Sequence, residues 1–196
     1  MAQSDRKRWD QRYSSPGDSL KQGPHALLAR YAPPSRPGIR ALELACGLGR
    51  DALWLAAQGY RVDAFDISIA ALRRARTRML RHGLSGVNFV VADLDHFPLP
   101  DHTYDLVYVF RFLDRDLFPA IRARVRPGGM VIYETLNVRR LEEAPGTGPD
   151  HMLRLGELPG YFPGWPVLDA ADEGFLSRFV GIRPVEKAVG ERLEGT

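Results

Sequence analysis

Three acidic residues recur where apolar runs end. Glu43 stands in Ile39-Arg40-Ala41-Leu42-Glu43-Leu44-Ala45, Asp66 closes Val62-Asp63-Ala64-Phe65-Asp66, and Asp93 follows Val91-Ala92. Just after the first of them, Gly47 and Gly49 flank Leu48, with Arg50 next. Glycine lets a backbone approach a ligand where any Cβ would collide, and a helix that starts there offers unpaired N–H groups. An acid about 20 residues beyond such a turn can accept hydrogen bonds from both hydroxyls of a ribose. Asp93 can accept from an adenine amino group while Ile67 and Leu94 sandwich the ring. Taken singly, a G-x-G pair is a common strand-to-helix turn and Asp66 a common helix cap. Ser68 can already cap that helix, and three acids at three successive strand ends point together to an adenosine site.

The elements that must hold those residues can be read from periodicity and punctuation. Ile39 to Ala45 reads as a strand, Asp51 to Gln58 as a helix, and Arg61 to Asp66 as a second strand. Ser68 caps a helix running to Arg81 that His82-Gly83 ends, and Val87 to Ala92 is a third strand. Tyr104 to Phe110 is a fourth strand, Asp114 to Val125 a helix, Pro127-Gly128-Gly129 a turn, and Met130 to Thr135 a fifth strand. Asn137 to Pro166 is rich in Gly, Pro and charge, with a helical candidate over Leu153 to Leu158. Pro166 to Ala171 and Phe179 to Val185 read as strands joined at Asp172-Glu173-Gly174. The expected fold is α/β: a Rossmann-like, seven-stranded, mostly parallel sheet with a C-terminal antiparallel hairpin and helices on both faces. In such a sheet ligands bind beyond the carboxyl ends of the strands.

These residues carry a family resemblance. LELACGLGRDALWLA is similar to the first motif of class I S-adenosylmethionine-dependent methyltransferases, and the likeness continues through VDAFDIS, VVADL, and the YDLV strand leading to RPGGMVIYET. Within that superfamily the chain resembles the small-molecule group that includes tellurite-resistance methyltransferases, partly because Trp9-Asp10-Gln11-Arg12-Tyr13 is similar to their N-terminal WxxRY signature. The resemblance implies S-adenosylmethionine as cofactor and S-adenosylhomocysteine as product. It implies that Glu43 organises the glycine loop and meets the cofactor's amino group, that Asp66 holds the ribose, and that Asp93 and Leu94 hold the adenine. Phe110 and Arg111 would line the path to the methyl group, and Arg12, Tyr13 and Arg50 would serve the methionine carboxylate. The chain departs from the family at Ala45, where a glycine is usual, so one Cβ must be accepted in the loop.

Division of the chain follows the same logic. A single methyltransferase domain over 1–196 would comprise an N-terminal helical cap (1–35), a cofactor-binding core (36–135), a lid segment (136–165) and terminal strands (166–186). On the acceptor side the candidates are Arg111, Glu134, His151 and Arg154, the last two in the lid. The methyl donor is already electrophilic, so positioning and desolvation carry much of the work; a thiolate or oxyanion acceptor needs no general base, whereas a neutral hydroxyl or amine can use one.

Composition sets the remaining bounds. At 196 residues and 44% hydrophobic, one sizeable core is expected. The start MAQSDRKRWDQRY lacks the apolar stretch of a secretory signal, no apolar run reaches membrane-spanning length, and the lone Cys46 fits a reducing cytoplasm. The five histidines lack metal-ligand spacing, so no metal is expected. The net charge of +3 is spread along the chain, which argues against a nucleic-acid partner, and the cluster Arg73, Arg74, Arg76, Arg78 and Arg81 reads as a solvated helix face. The expected partner is a small-molecule methyl acceptor, and the oligomeric state is not encoded legibly. Two rivals remain: an NAD(P)-dependent oxidoreductase, whose usual G-x-G-x-x-G is only loosely met here, and a non-catalytic S-adenosylmethionine-binding protein, which Ala45 keeps in play.

Overall fold

In the computed structural model, residues 2–14, 23–143 and 148–185 are described. Residues 1 and 15–22 of the expected cap, 144–147 of the expected lid, and 186–196 lie outside them. Seven strands form one sheet in the order β3-β2-β1-β4-β5-β7-β6. They are β1 (Arg40–Leu44), β2 (Arg61–Asp66), β3 (Val87–Val91), β4 (Tyr104–Phe110), β5 (Val125–Leu136), β6 (Val167–Glu173) and β7 (Leu176–Ile182). The first five are mutually parallel, while β7 runs antiparallel to both β5 and β6. From β1 the chain proceeds outward to β2 and β3, then returns to β4 on the other side of β1. That reversal opens a crevice at the carboxyl ends of β1 and β4, the usual ligand position in such sheets.

Alternate residues of the strands feed two cores. One face carries Ala41, Val62, Ala64, Leu106, Tyr108, Ile132 and Val180, covered by α2 (Ala26–Tyr31), α3 (Arg50–Ala57) and α4 (Ile69–Arg81) through Leu28, Leu55 and Leu72. The other carries Leu42, Leu44, Phe65, Val107, Val109, Val131, Tyr133 and Phe179, covered by Phe118 and Ile121 of α5 (Phe118–Arg124). Leu153, Leu158 and Phe162 join that second core, and each such buried side chain is worth about 1.5–3 kcal/mol. The N-terminal α1 (Ala2–Ser14) packs on α4, where Asp10 accepts from Ser68 Oγ at 2.6 Å and Ala70 N–H at 2.9 Å.

Several boundaries fall where the sequence predicts. Ser68 caps α4 by accepting from Ala71 N–H, and His82 closes it. Others move. The helix predicted over 114–125 begins as a single 3-10 turn, Arg115–Leu117, because Asp114 caps Asp116 N–H before Pro119 sets α5. β5 starts at Val125, bulges through 126–129 and resumes its pairing at Met130, so the predicted turn lies inside a strand. No helix forms over Leu153 to Leu158; Leu153 instead bridges to Asn137, between 3-10 turns at Pro149–His151 and Leu158–Tyr161. The hairpin turns at Gly174-Phe175 rather than at 172–174, since Glu173 still pairs with Leu176.

Candidate functional site

The loop leaving β1 adopts a backbone that side chains usually avoid. Ala45, Gly47 and Gly49 have φ of 56°, 52° and 64°. A left-handed residue with a Cβ costs roughly 1–2 kcal/mol, so Ala45 keeps the conformation its glycine counterpart would take, at the expense of local strain. Gly49 is required by space as well: a Cβ there would sit 2.8 Å from Phe89 and 3.0 Å from Ala75. A Cβ on Gly47 would meet the Tyr13 hydroxyl at 2.8 Å, so α1 brings Tyr13 over the loop. Arg74 holds that end of α1 by donating to the Tyr13 carbonyl at 2.6 Å.

Asp66 ties this loop to the end of β2. Its carboxylate accepts from Gly47 N–H at 2.7 Å and Ser68 N–H at 2.8 Å. A carboxylate offers about four acceptor positions, so two remain for a ligand hydroxyl pair. Burial raises the Asp66 carboxyl above its ordinary range, and the two N–H groups pull it back. Glu43 is buried more deeply, 4% exposed, and accepts from the Tyr108 hydroxyl at 3.0 Å. Burial, then the neighbouring Asp51 charge, pushes its carboxyl well up. Asp93 follows β3, whose end is joined to β2 by Ala92 N–H donating to the Asp66 carbonyl. It is half-buried, and its carboxylate accepts only weakly, from Asp95 N–H at 3.3 Å. Ile67 is half-buried at the same edge, whereas Leu94 is 7% exposed and contributes to the second core.

On the other half of the crevice, sequence reasoning named Phe110, Arg111 and Glu134 but missed His25. His25, at the start of α2, stacks on Phe110 with ring centroids 3.8 Å apart. Its Nδ1 accepts from Leu27 N–H, which leaves the proton on Nε2 in the neutral ring. That Nε2 lies 3.2 Å from Glu134 Oε1, and Arg111 lies 3.5 Å from the same oxygen. Neither meets hydrogen-bond geometry, so Glu134 Oε1 is buried without a hydrogen-bond partner. Arg111 has φ of 61°, a second strained residue at the same edge. Strain of this kind clusters at functional sites. Asp51, also missed, is 6% exposed, accepts from His25 N–H at 2.7 Å and pairs with Arg50. The only sequence signal for His25 is its place after Gly23-Pro24, at a helix start.

The remaining candidates are placed apart from this cluster. Arg12 is exposed and lies over the Trp9 ring, 5.4 Å from its centroid. His151 and Arg154 are exposed, in a segment whose Leu153 is buried on the Tyr133 face of the sheet, while Glu134 projects from the opposite face. That segment is clamped by Arg115, which holds Glu157 at 2.7 and 3.0 Å and donates to the carbonyls of Asp150 and Met152. Among the described residues no group of three or more His, Cys, Asp or Glu is arranged to hold a metal ion, and no helix is long and apolar enough to cross a membrane.

A glycine loop thus leaves β1, acids stand at or near the ends of β1, β2 and β3, and the strand order reverses between β1 and β4. Residues 41–129 match the model of the family described as "Methyltransferase domain". It is similar to Methyltransferase GfsG from Streptomyces halstedii, 35% identical over 109 residues, covering 52% of this chain and 39% of the relative. It is also similar to a malonyl-[acyl-carrier protein] O-methyltransferase from Serratia marcescens, 31% identical over 115 residues, covering 56% and 43%. The chain thus spans less than half the length of these curated relatives. Among solved structures, TehB from Haemophilus influenzae shares the fold, with a TM-score of 0.65 at 15% identity over 75% of this chain and 58% of that one.

Proposed function

We propose that the chain binds S-adenosylmethionine in this crevice and transfers its methyl group in line to a small-molecule acceptor, in a reducing cytoplasm. The observation that carries the reading is the β1 loop: a left-handed glycine turn tied to the Asp66 carboxylate and faced by the Tyr13 hydroxyl. Such a turn lets a ligand reach backbone that any larger residue would shield. When bound, the cofactor supplies a methyl group already made electrophilic by its sulfonium. Asp66 would hold the ribose, Asp93 and Ile67 the adenine, and Tyr13, with Arg50 near, the methionine end. Leu94 would form the floor of the adenine pocket rather than one wall, given its burial.

The acceptor side would be built by Phe110, Arg111, Glu134 and His25. Glu134 has an oxygen with no hydrogen-bond partner at the strand edge, which suits it to receive a proton from an acceptor hydroxyl. His25 would orient it, and Arg111 would hold an anionic group of the acceptor. The O-methyltransferase name of the Serratia relative supports an oxygen nucleophile. The assay is release of S-adenosylhomocysteine across a panel of phenols, carboxylic acids, thiols and amines. Turnover should favour an oxygen acceptor, and Glu134→Gln should lower kcat by roughly 10²-fold or more with a hydroxyl acceptor. Silence with every acceptor despite cofactor binding would replace this reading with a non-catalytic binding protein.

A further inference from the structure

Five arginines, Arg73, Arg74, Arg76, Arg78 and Arg81, sit within the thirteen residues of α4, and the helix contains no acid. Arg74 and Arg78 are four apart, Arg73 and Arg76 three apart, as are Arg78 and Arg81, spacings at which like charges repel and weaken a helix. Several arginines elsewhere, Arg111, Arg115, Arg126 and Arg178 among them, face carboxylates. Among the described residues, no ion pair or hydrogen bond satisfies the side chains of Arg73, Arg78 or Arg81, and Arg78 Nη1 is buried without a partner. The nearby acids of α1 are committed, Asp5 to Arg8 and Asp10 to the start of α4.

This face is concave rather than flat. A cavity of about 480 Å³ is lined by Leu48, Arg73, Arg74, Thr77, Arg78, Arg81 and His82, with no carboxylate among them. That volume lies in the range of small-ligand pockets. Guanidinium groups present planar pairs of donors that match phosphate oxygens, and the His82 imidazole beside them can add another. We propose that the α4 cavity is a binding site for a small molecule bearing two or more phosphate groups, separate from the crevice at the strand ends. A solvated cationic face needs neither the concavity nor a buried unpartnered guanidinium nitrogen. The site adjoins the cofactor crevice through Leu48 and through Arg74, which holds the Tyr13 carbonyl, but it is inferred from neither contact and stands whether or not the methyl-transfer reading does.

The probe is pyrophosphate, titrated calorimetrically into the whole chain at about 0.15 M salt, where diffuse surface attraction is largely screened. Saturable one-to-one binding is expected. The pair Arg73→Gln and Arg78→Gln should weaken it by about tenfold or more. Arg81→Gln alone should weaken it measurably without threatening the helix. The pair Arg61→Gln and Arg140→Gln removes the same charge elsewhere and should leave binding within about twofold. Equal loss in the two double variants, absence of saturation, or binding of a nucleic-acid duplex in place of pyrophosphate would overturn the proposal.

Discussion

At the scale of single residues, the site turns on how much each side chain already does before a ligand arrives. Asp66 fixes the β1 loop through Gly47 and keeps two acceptor positions in reserve. Asp66→Ala should therefore weaken S-adenosylhomocysteine binding by roughly 2–4 kcal/mol, because two hydrogen bonds to a charged acceptor disappear. Unchanged affinity in a folded variant would remove the ribose role. Ala45 can be tested separately, since its φ of 56° is costly for any residue with a Cβ. Ala45→Gly should relieve roughly 1–2 kcal/mol of strain. It also frees the unfolded chain by about 0.4–1 kcal/mol, so the net gain in stability should be about 0.5–1 kcal/mol, read as a higher Tm. Residue types and spacing alone placed Glu43 and Asp66 near strand ends and the glycines in a turn, because these features are written locally. His25 and Glu134 could not be paired that way, since their approach depends on α2 crossing from the N-terminal segment to the end of β5.

At the scale of elements, the segment 148–165 is bound more firmly than its Gly, Pro and charge content implies. Arg115 reaches it from the 3-10 turn before α5, Tyr161 donates to Glu157 at 2.5 Å, and its ring stacks on Phe118 at 3.8 Å. These bonds, Arg115 first, hold the Glu157 carboxyl down from 4.5 to about 2. A shift of that size corresponds to at most about 3.5 kcal/mol. Because the Arg115 side chain is 35% exposed, solvent screening reduces the expected contribution to about 1 kcal/mol. A lowered folded pKa stabilises above the unfolded value and ceases to as pH falls toward the folded one. Glu157→Gln should thus be less stable than the parent at pH 7, and the gap should close between about pH 4.5 and pH 2 in chemical denaturation. A gap that persists below that window would show that the clamp does not depend on the carboxylate. The helix expected over Leu153 to Leu158 fails for the same reason that the clamp exists: Leu153 and Leu158 are drawn into the core, and the backbone follows them.

At the scale of the whole molecule, the order β3-β2-β1-β4-β5-β7-β6 accounts for why residues far apart in sequence meet at one edge. Alternating strands and helices made the parallel half legible, with β2 and β4 bounded as their apolar runs imply. The hairpin was legible as a pair of strands, while its turn shifted because Asp172 and Glu173 stay in the ladder. The two sides of the sheet also divide the labour: one face carries Glu43, Phe110 and Glu134 toward the crevice, the other anchors 152–165.

The central claim is that the carboxylates closing β1, β2 and β3 serve one adenosine-containing cofactor. Titration calorimetry of the chain with S-adenosylhomocysteine and, in parallel, with NADH tests it most directly. Saturable one-to-one binding of S-adenosylhomocysteine with no heat from NADH is the predicted result. Binding of NADH alone would contradict the account.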